Sequence, residues 1–218
     1  IGLRLGTHIL RQPLIFDEPY ITVPIIDLIE KGWSKQTAID FRETKGPGLI
    51  WLYAIAGEAL GSSLNDLRLV SVMCFMLGAV PLLDLARRCG MGGGSLWIVA
   101  ALYVLLPYHA PLGQMVMSEP SFVLFSLVAC WLLVWGVDAR SEGDHRSSQA
   151  SVNRARRILA PALFAIVLSV LLHNRVHAAA LAPAVCLVAL ERGGRRLARP
   201  WIIACLIAGL SRIPLLLY

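Results

Sequence analysis

Apolar stretches recur along the chain at roughly 67–86, 96–112, 119–137, 158–172, 176–190 and 200–218, separated by short polar or arginine-rich segments. Stretches of this purity predict membrane-spanning helices, which need about 20 apolar residues to cross the hydrocarbon layer. The shorter ones suit re-entrant segments or helices buried within a bundle. Residues 11–66 follow a different pattern. Over 21–31 the apolar positions Val23, Ile25, Ile26, Leu28 and Ile29 alternate with polar ones at helical spacing, which predicts an amphipathic helix at the membrane interface. Gly32-Trp33 ends it, glycine as a helix stop and tryptophan as an interfacial residue. A turn follows at Arg42-Glu43-Thr44-Lys45-Gly46-Pro47-Gly48, then an apolar helix over 49–60, closed by Gly61. The Ser/Arg-rich segment 138–157 reads as a flexible polar loop. The expected fold is all-α, a polytopic transmembrane helix bundle. Residues 1–218 form part of one domain, with 11–66 as a first loop carrying interfacial helices and 67–218 as about six spans.

Composition sharpens this picture. Of 218 residues, 57% are hydrophobic and 16% charged, with a mean hydropathy of +0.67. Soluble domains carry about 25% charged residues. The net charge of +6 does not indicate nucleic-acid binding, because the basic residues lie between apolar spans instead of along one face. Arg87 and Arg88 follow the first span, Arg140, Arg146, Arg154, Arg156 and Arg157 the third, and Arg192, Arg195, Arg196 and Arg199 the fifth. Those are 11 of the 20 basic residues, all in alternate loops. The positive-inside rule makes that side cytoplasmic. The opposite side then receives Asp17, Glu18, Glu43, Lys45, His109, Glu119, Arg175 and His177. The five cysteines show no paired or metal-ligand spacing and read as packing residues.

Several of these polar residues have chemistry to offer. Asp17-Glu18 precedes the amphipathic helix, where carboxylates serve either as a general base or metal ligand, or as charges complementing the helix dipole behind Pro19. Lys45 in its Gly/Pro turn suits a phosphate contact or an interfacial lysine. Glu119, in Met117-Ser118-Glu119-Pro120, is a site residue at a span mouth or part of a helix cap. Arg175 runs against the charge bias of its side, which favours an anionic partner; His109, His173 and His177 suit acid–base, ligand or structural roles. No phosphate-binding loop, nucleophile elbow or zinc-protease motif is present.

One resemblance rests on the order and spacing of these pieces. Phe16-Asp17-Glu18-Pro19-Tyr20, an amphipathic helix, Gly32-Trp33, then Lys45-Gly46-Pro47-Gly48-Leu49-Ile50-Trp51-Leu52-Tyr53 and a small-residue helix ending at Gly61 resemble the GT-C glycosyltransferases. Within them the chain is most similar to the protein O-mannosyltransferase and aminoarabinose transferase group. Arg68, a few residues after Gly61, and Met117-Ser118-Glu119-Pro120 extend the likeness, which covers roughly 14–136 and more loosely reaches 191. In this chain Lys45 is followed by Gly-Pro where the group has Pro-Pro. Thr44 stands where some relatives carry a metal-binding Glu, with Glu43 one position away, so a divalent metal stays open.

The resemblance implies a membrane enzyme that moves a sugar from a polyprenyl-phosphate donor to an acceptor hydroxyl on a glycan, lipid or protein, with inversion. Asp17 would be the base, Lys45 and Arg175 would hold the lipid phosphate, and Glu18 and Glu119 would position the site. It also implies spans before Asp17 and after Tyr218, so the chain reads as part of a longer protein, inactive by itself. The arginine-rich composition suggests a bacterial inner membrane with an outward-facing site. The alternative is a transporter or flippase for a lipid-linked or anionic solute. Its binding groups are expected near the membrane midplane on broken, repeated helices, whereas these spans are apolar at their centres.

Overall fold

The computed structural model describes residues 18–38, 47–105, 115–138 and 147–213. Among these the chain is helical, without strands. The elements are α1 (Glu18–Lys31), α2 (Lys35–Ala38), α3 (Pro47–Leu60), α4 (Leu64–Arg88), α5 (Gly94–Leu105), α6 (Ser118–Asp138), α7 (Ser147–Asn174), a 3-10 turn (Val176–Ala180) and α8 (Leu181–Leu210). The chain forms two compact units, Ile1–Leu124 and Phe125–Tyr218, with the boundary inside α6.

Local sequence explains where the helices of the first unit begin and end. Pro19, Pro47 and Pro120 each lie in a first helical turn, where a missing N–H costs nothing. Gly32 stops α1 at φ 81°, a conformation that a side chain disfavours. Gly61, at φ 126°, separates α3 from α4 and leaves no room for a Cβ beside the Asp66 carboxylate. Ser63 then caps α4 reciprocally with Asp66: the Asp66 N–H donates to Ser63 Oγ, and the Ser63 N–H donates to the Asp66 carboxylate, each at 3.3 Å.

The first unit's core explains why residues 18–60 form a layer. Ile21, Ile25 and Leu28 line one face of α1 at helical spacing and are buried with Leu49, Ile50, Tyr53 and Ala54 of α3 and Leu67, Val70 and Cys74 of α4. Trp33 Nε1 donates to Glu58 Oε1 at 2.8 Å and Trp51 Nε1 to the Ala38 carbonyl at 2.9 Å, tying the ends of α1 and α2 to α3. The apolar stripe expected to face the membrane interface is thus spent largely on protein, while Tyr20 and Val23 point away from the core. Further along, Tyr103 of α5 stacks on Phe75 with centroids 4.8 Å apart and donates to the Phe75 carbonyl at 2.9 Å. This approach passes over Gly78, where a Cβ would meet the Tyr103 hydroxyl at 2.5 Å.

Among the described residues, three helical stretches are long and apolar enough to cross a membrane: Leu64–Arg88, Ser118–Asp138 and Ala155–Asn174. Their outward faces carry large apolar side chains, among them Met76 and Val80 on α4 and Ile158 and Ile166 on α7. Such faces suit hydrocarbon better than water.

The second unit differs from expectation at two places. First, α7 begins at Ser147, inside the segment expected to be a loop. Residues 147–157 contain no glycine or proline, and their Ala, Arg and Gln favour helix, so polarity alone does not break it. Second, the stretches 176–190 and 200–218, expected as two spans with a loop between them, fall largely within one helical run, α8. That run does not extend straight. Cys205 Sγ lies 3.9 Å from the Ala182 carbonyl oxygen, 23 residues away in sequence. A straight helix would hold them roughly 35 Å apart. The backbone therefore doubles back between them. Elsewhere in this unit Phe164 and Trp201 pack edge to face at 5.3 Å.

The reversal predicts that mild oxidation with copper phenanthroline joins Cys186 to Cys205 within one chain, read by peptide mass analysis. A straight α8 would yield no such intramolecular link.

Candidate functional site

Glu18 opens α1 with its side chain fully buried, and Arg68, in the second turn of α4, is 2% exposed. A charge in such surroundings is costly unless it is paired and hydrogen-bonded. Here the match is bidentate: Arg68 Nε donates to Glu18 Oε1 at 2.9 Å and Arg68 Nη2 to Glu18 Oε2 at 2.6 Å. The Val116 N–H donates to Oε1 as well, at 3.0 Å. Two carboxylate oxygens thus receive three N–H donors, drawn from positions 50 and 98 residues away in sequence. One side chain fastens the start of α1 to the start of α4 and to the strap that leads into α6.

A second set of hydrogen bonds runs beside it. The Tyr53 hydroxyl donates to the Met117 carbonyl at 3.1 Å and receives the Ser71 hydroxyl at 2.7 Å. Ser71 is three residues from Arg68, on the same face of α4. Burial above all pushes the Tyr53 phenol far above its ordinary pKa. Cys74, Glu119 and Glu18 push it the same way, and the Ser71 hydrogen bond only partly opposes them. Tyr53 is therefore a neutral donor, a fixed strut and no acid.

Glu119 stands in the first turn of α6, half-buried, and receives the Ser118 hydroxyl at 3.3 Å. Its field reaches Tyr53 along with that of Glu18, so the first unit brings both carboxylates to the Tyr53 neighbourhood. Asp17, Glu43, Lys45 and His109 lie outside the described residues. Arg175 belongs to the second unit. It is half-buried just ahead of the 3-10 turn, its N–H donating to the Leu171 carbonyl at 2.8 Å and its carbonyl accepting from Ala178 at 3.1 Å. His173 Nδ1 lies 2.7 Å from the Ser169 carbonyl oxygen, and His177 is exposed. Among the described residues no group of three or more His, Cys, Asp or Glu is arranged to hold a metal ion.

Sequence reasoning singled out Glu18 and Glu119 but missed Tyr53, Ser71 and the Val116 N–H. A signal was present: Arg68 sits between Leu67 and Leu69 at the head of an apolar span, and an ionised group there requires a partner. The hydroxyl struts carried no such mark, because tyrosine and serine are unremarked in an apolar helix.

Replacing Tyr53 by Phe strands the Met117 carbonyl and the Ser71 hydroxyl in a buried site. The expected loss of unfolding free energy is about 1–3 kcal/mol, read by denaturant titration in detergent. A loss under about 0.5 kcal/mol, the range of an inconsequential substitution, would show that the strut is dispensable.

Comparison with known proteins adds no relative: no family model matches the chain, and neither a curated protein nor a solved structure matches it significantly.

Proposed function

We propose that this chain is part of a multi-pass membrane glycosyltransferase that moves a sugar from a polyprenyl-phosphate donor to an acceptor hydroxyl. The observation that carries the proposal is the burial of Glu18 against Arg68 and the Val116 N–H. Both oxygens of this carboxylate are engaged by N–H donors. It is suited to hold its neighbours in place, and its neighbour in the chain is Asp17. Two adjacent acids with separate duties, one locked and one reactive, fit the acidic motif of the resemblance. Three apolar helices able to span a bilayer support the membrane setting.

In this mechanism Asp17 accepts the proton of the acceptor hydroxyl. The hydroxyl oxygen attacks the anomeric carbon from the face opposite the phosphate, and the bond from that carbon to the phosphate oxygen breaks. The polyprenyl phosphate leaves with the bonding pair, and the product has inverted configuration. Lys45 is the cation assigned to the phosphate, whose negative charge grows as the bond breaks. Glu43 is a further polar contact beside Lys45, and Glu119 lines the acceptor side. The charge bias of the loops supports an extracytoplasmic location for these groups. No metal is assigned a step.

The test is sugar transfer by the full-length protein containing this chain, in liposomes, with a panel of polyprenyl-phosphate sugars. Wild type is expected to transfer, and Asp17→Asn to lose about 100-fold or more, the effect of removing a positioned acid–base group. An Asp17→Asn variant that keeps pace would remove Asp17 from the mechanism. A wild type that consumes no donor would favour the transporter reading.

A further inference from the structure

The second unit carries a feature that sugar transfer does not use. Near the end of α6, Trp131 and Trp135 stand one turn apart with their rings stacked, centroids 5.7 Å apart and 7° from parallel. The Arg156 guanidinium, from α7, lies over Trp135 at 5.6 Å from the ring centroid. Next to Trp135 is Gly136, where a Cβ would meet both the Ala160 side chain and the Trp201 ring at 2.8 Å. The end of α6, the α7 segment one turn before Ala160, and the α8 segment around Trp201 therefore meet at one end of this unit.

That end is the boundary between polar and apolar chain. The apolar part of α7 begins at Ile158, just after Arg156 and Arg157, and the apolar part of α8 resumes at Trp201, just after Arg199. Arg157 and Arg199 are exposed there, and Arg156 is half-buried. The same helical segments hold Arg154, Arg192, Arg195 and Arg196, against the acids Asp138 and Glu191. Positive-inside topology accounts for an excess of basic residues in a loop, but it does not call for a guanidinium laid on a pair of stacked indoles. The ring face attracts the cation and restrains where the guanidinium sits, which lowers the conformational entropy lost when it binds. A planar, oriented guanidinium at the polar–apolar boundary matches one ligand chemistry well, an oxyanion carried at the membrane surface. Tryptophan is at home at that depth. An anionic headgroup attached to acyl chains would place its phosphate by the arginines and its chains along the apolar faces of α7 and α8, where Ile158, Leu159 and Ile203 are exposed.

We propose that this end of the second unit is a binding site for the phosphodiester headgroup of an anionic phospholipid, with Arg156 on Trp135 as the oriented contact and Arg157 and Arg199 flanking it. The proposal rests on the membrane reading alone and stands or falls independently of sugar transfer.

The experiment measures lipid retained by the purified full chain, by native mass spectrometry, after exchange into mixed micelles of phosphatidylglycerol and phosphatidylcholine. Phosphatidylglycerol is expected to be retained in preference. Arg156→Gln is expected to lower that preference about fivefold, and Arg157→Gln or Arg199→Gln by a similar or smaller factor, the scale of one basic residue at an anionic membrane surface. Arg156→Lys keeps the charge and loses the planar fork, so it falls between wild type and Arg156→Gln. It also decides the matter if the glutamine variant does not fold. Arg88→Gln, in the first unit, is expected to retain the wild-type preference. Equal retention of the two lipids, an unchanged Arg156→Gln, an Arg156→Lys equal to wild type, or an equal loss in Arg88→Gln would each overturn the site. Free inorganic phosphate at millimolar concentration is expected to leave the bound lipid in place. Displacement by phosphate would show that the site takes the bare anion and not the lipid.

Discussion

The first unit depends on a carboxylate and a guanidinium removed from water together. Each ion alone would pay several kcal/mol to enter such surroundings. They repay that cost only because the geometry is bidentate and because the Val116 N–H occupies a further lone pair of Glu18. The pair is therefore demanding about position. Three segments that are far apart in sequence must arrive in one arrangement, or two buried charges are left exposed to each other's absence. A purely apolar contact among α1, α4 and the strap before α6 would tolerate sliding. This one does not.

The packing around the pair fills in what it pins. With the head of α1 fixed, the face of Ile21, Ile25 and Leu28 falls on α3, and the face of Tyr53 falls on α4. Tyr53 then reaches both Ser71 and Met117, so the hydroxyl struts and the ion pair hold the same two elements at neighbouring points. Trp33 and Trp51 close the other end of the layer. In consequence, α1 and α3 pack with the head of α4 around one shared core.

Much of this was legible in the sequence, and the parts that were not share a cause. Gly32 and Gly61 marked the ends of α1 and α3 because each needs a backbone conformation that side chains disfavour. Apolar runs located α4 and α6, although the helices extend past the apolar positions: α4 starts at Leu64, where Ser63 caps it, and continues through Arg88. Hydropathy reports where a chain prefers to be, and helix propensity reports what shape it takes. The two diverged in α7, whose arginine-rich start is helical. They diverged again in α8, where helical backbone continues between two apolar stretches that nonetheless fold back on each other. Long-range pairing was the least legible. The sequence offered Asp17-Glu18 as one motif, but nothing local said that Glu18 would be engaged 50 residues on by Arg68. Only the cost of Arg68 among leucines hinted that a partner had to exist.

Glu18 and Arg68 act as one unit, and a double-mutant cycle measures that coupling directly. Unfolding free energies in detergent would be compared for wild type, Glu18→Leu, Arg68→Leu and the double variant. Each single change leaves an uncompensated buried charge and is expected to cost about 3–5 kcal/mol. The double change removes both charges and is expected to cost far less than the sum, with a coupling of several kcal/mol. Single losses that add to the double loss within about 0.5 kcal/mol would mean that the two residues act independently, and the pinned first unit would have to be abandoned.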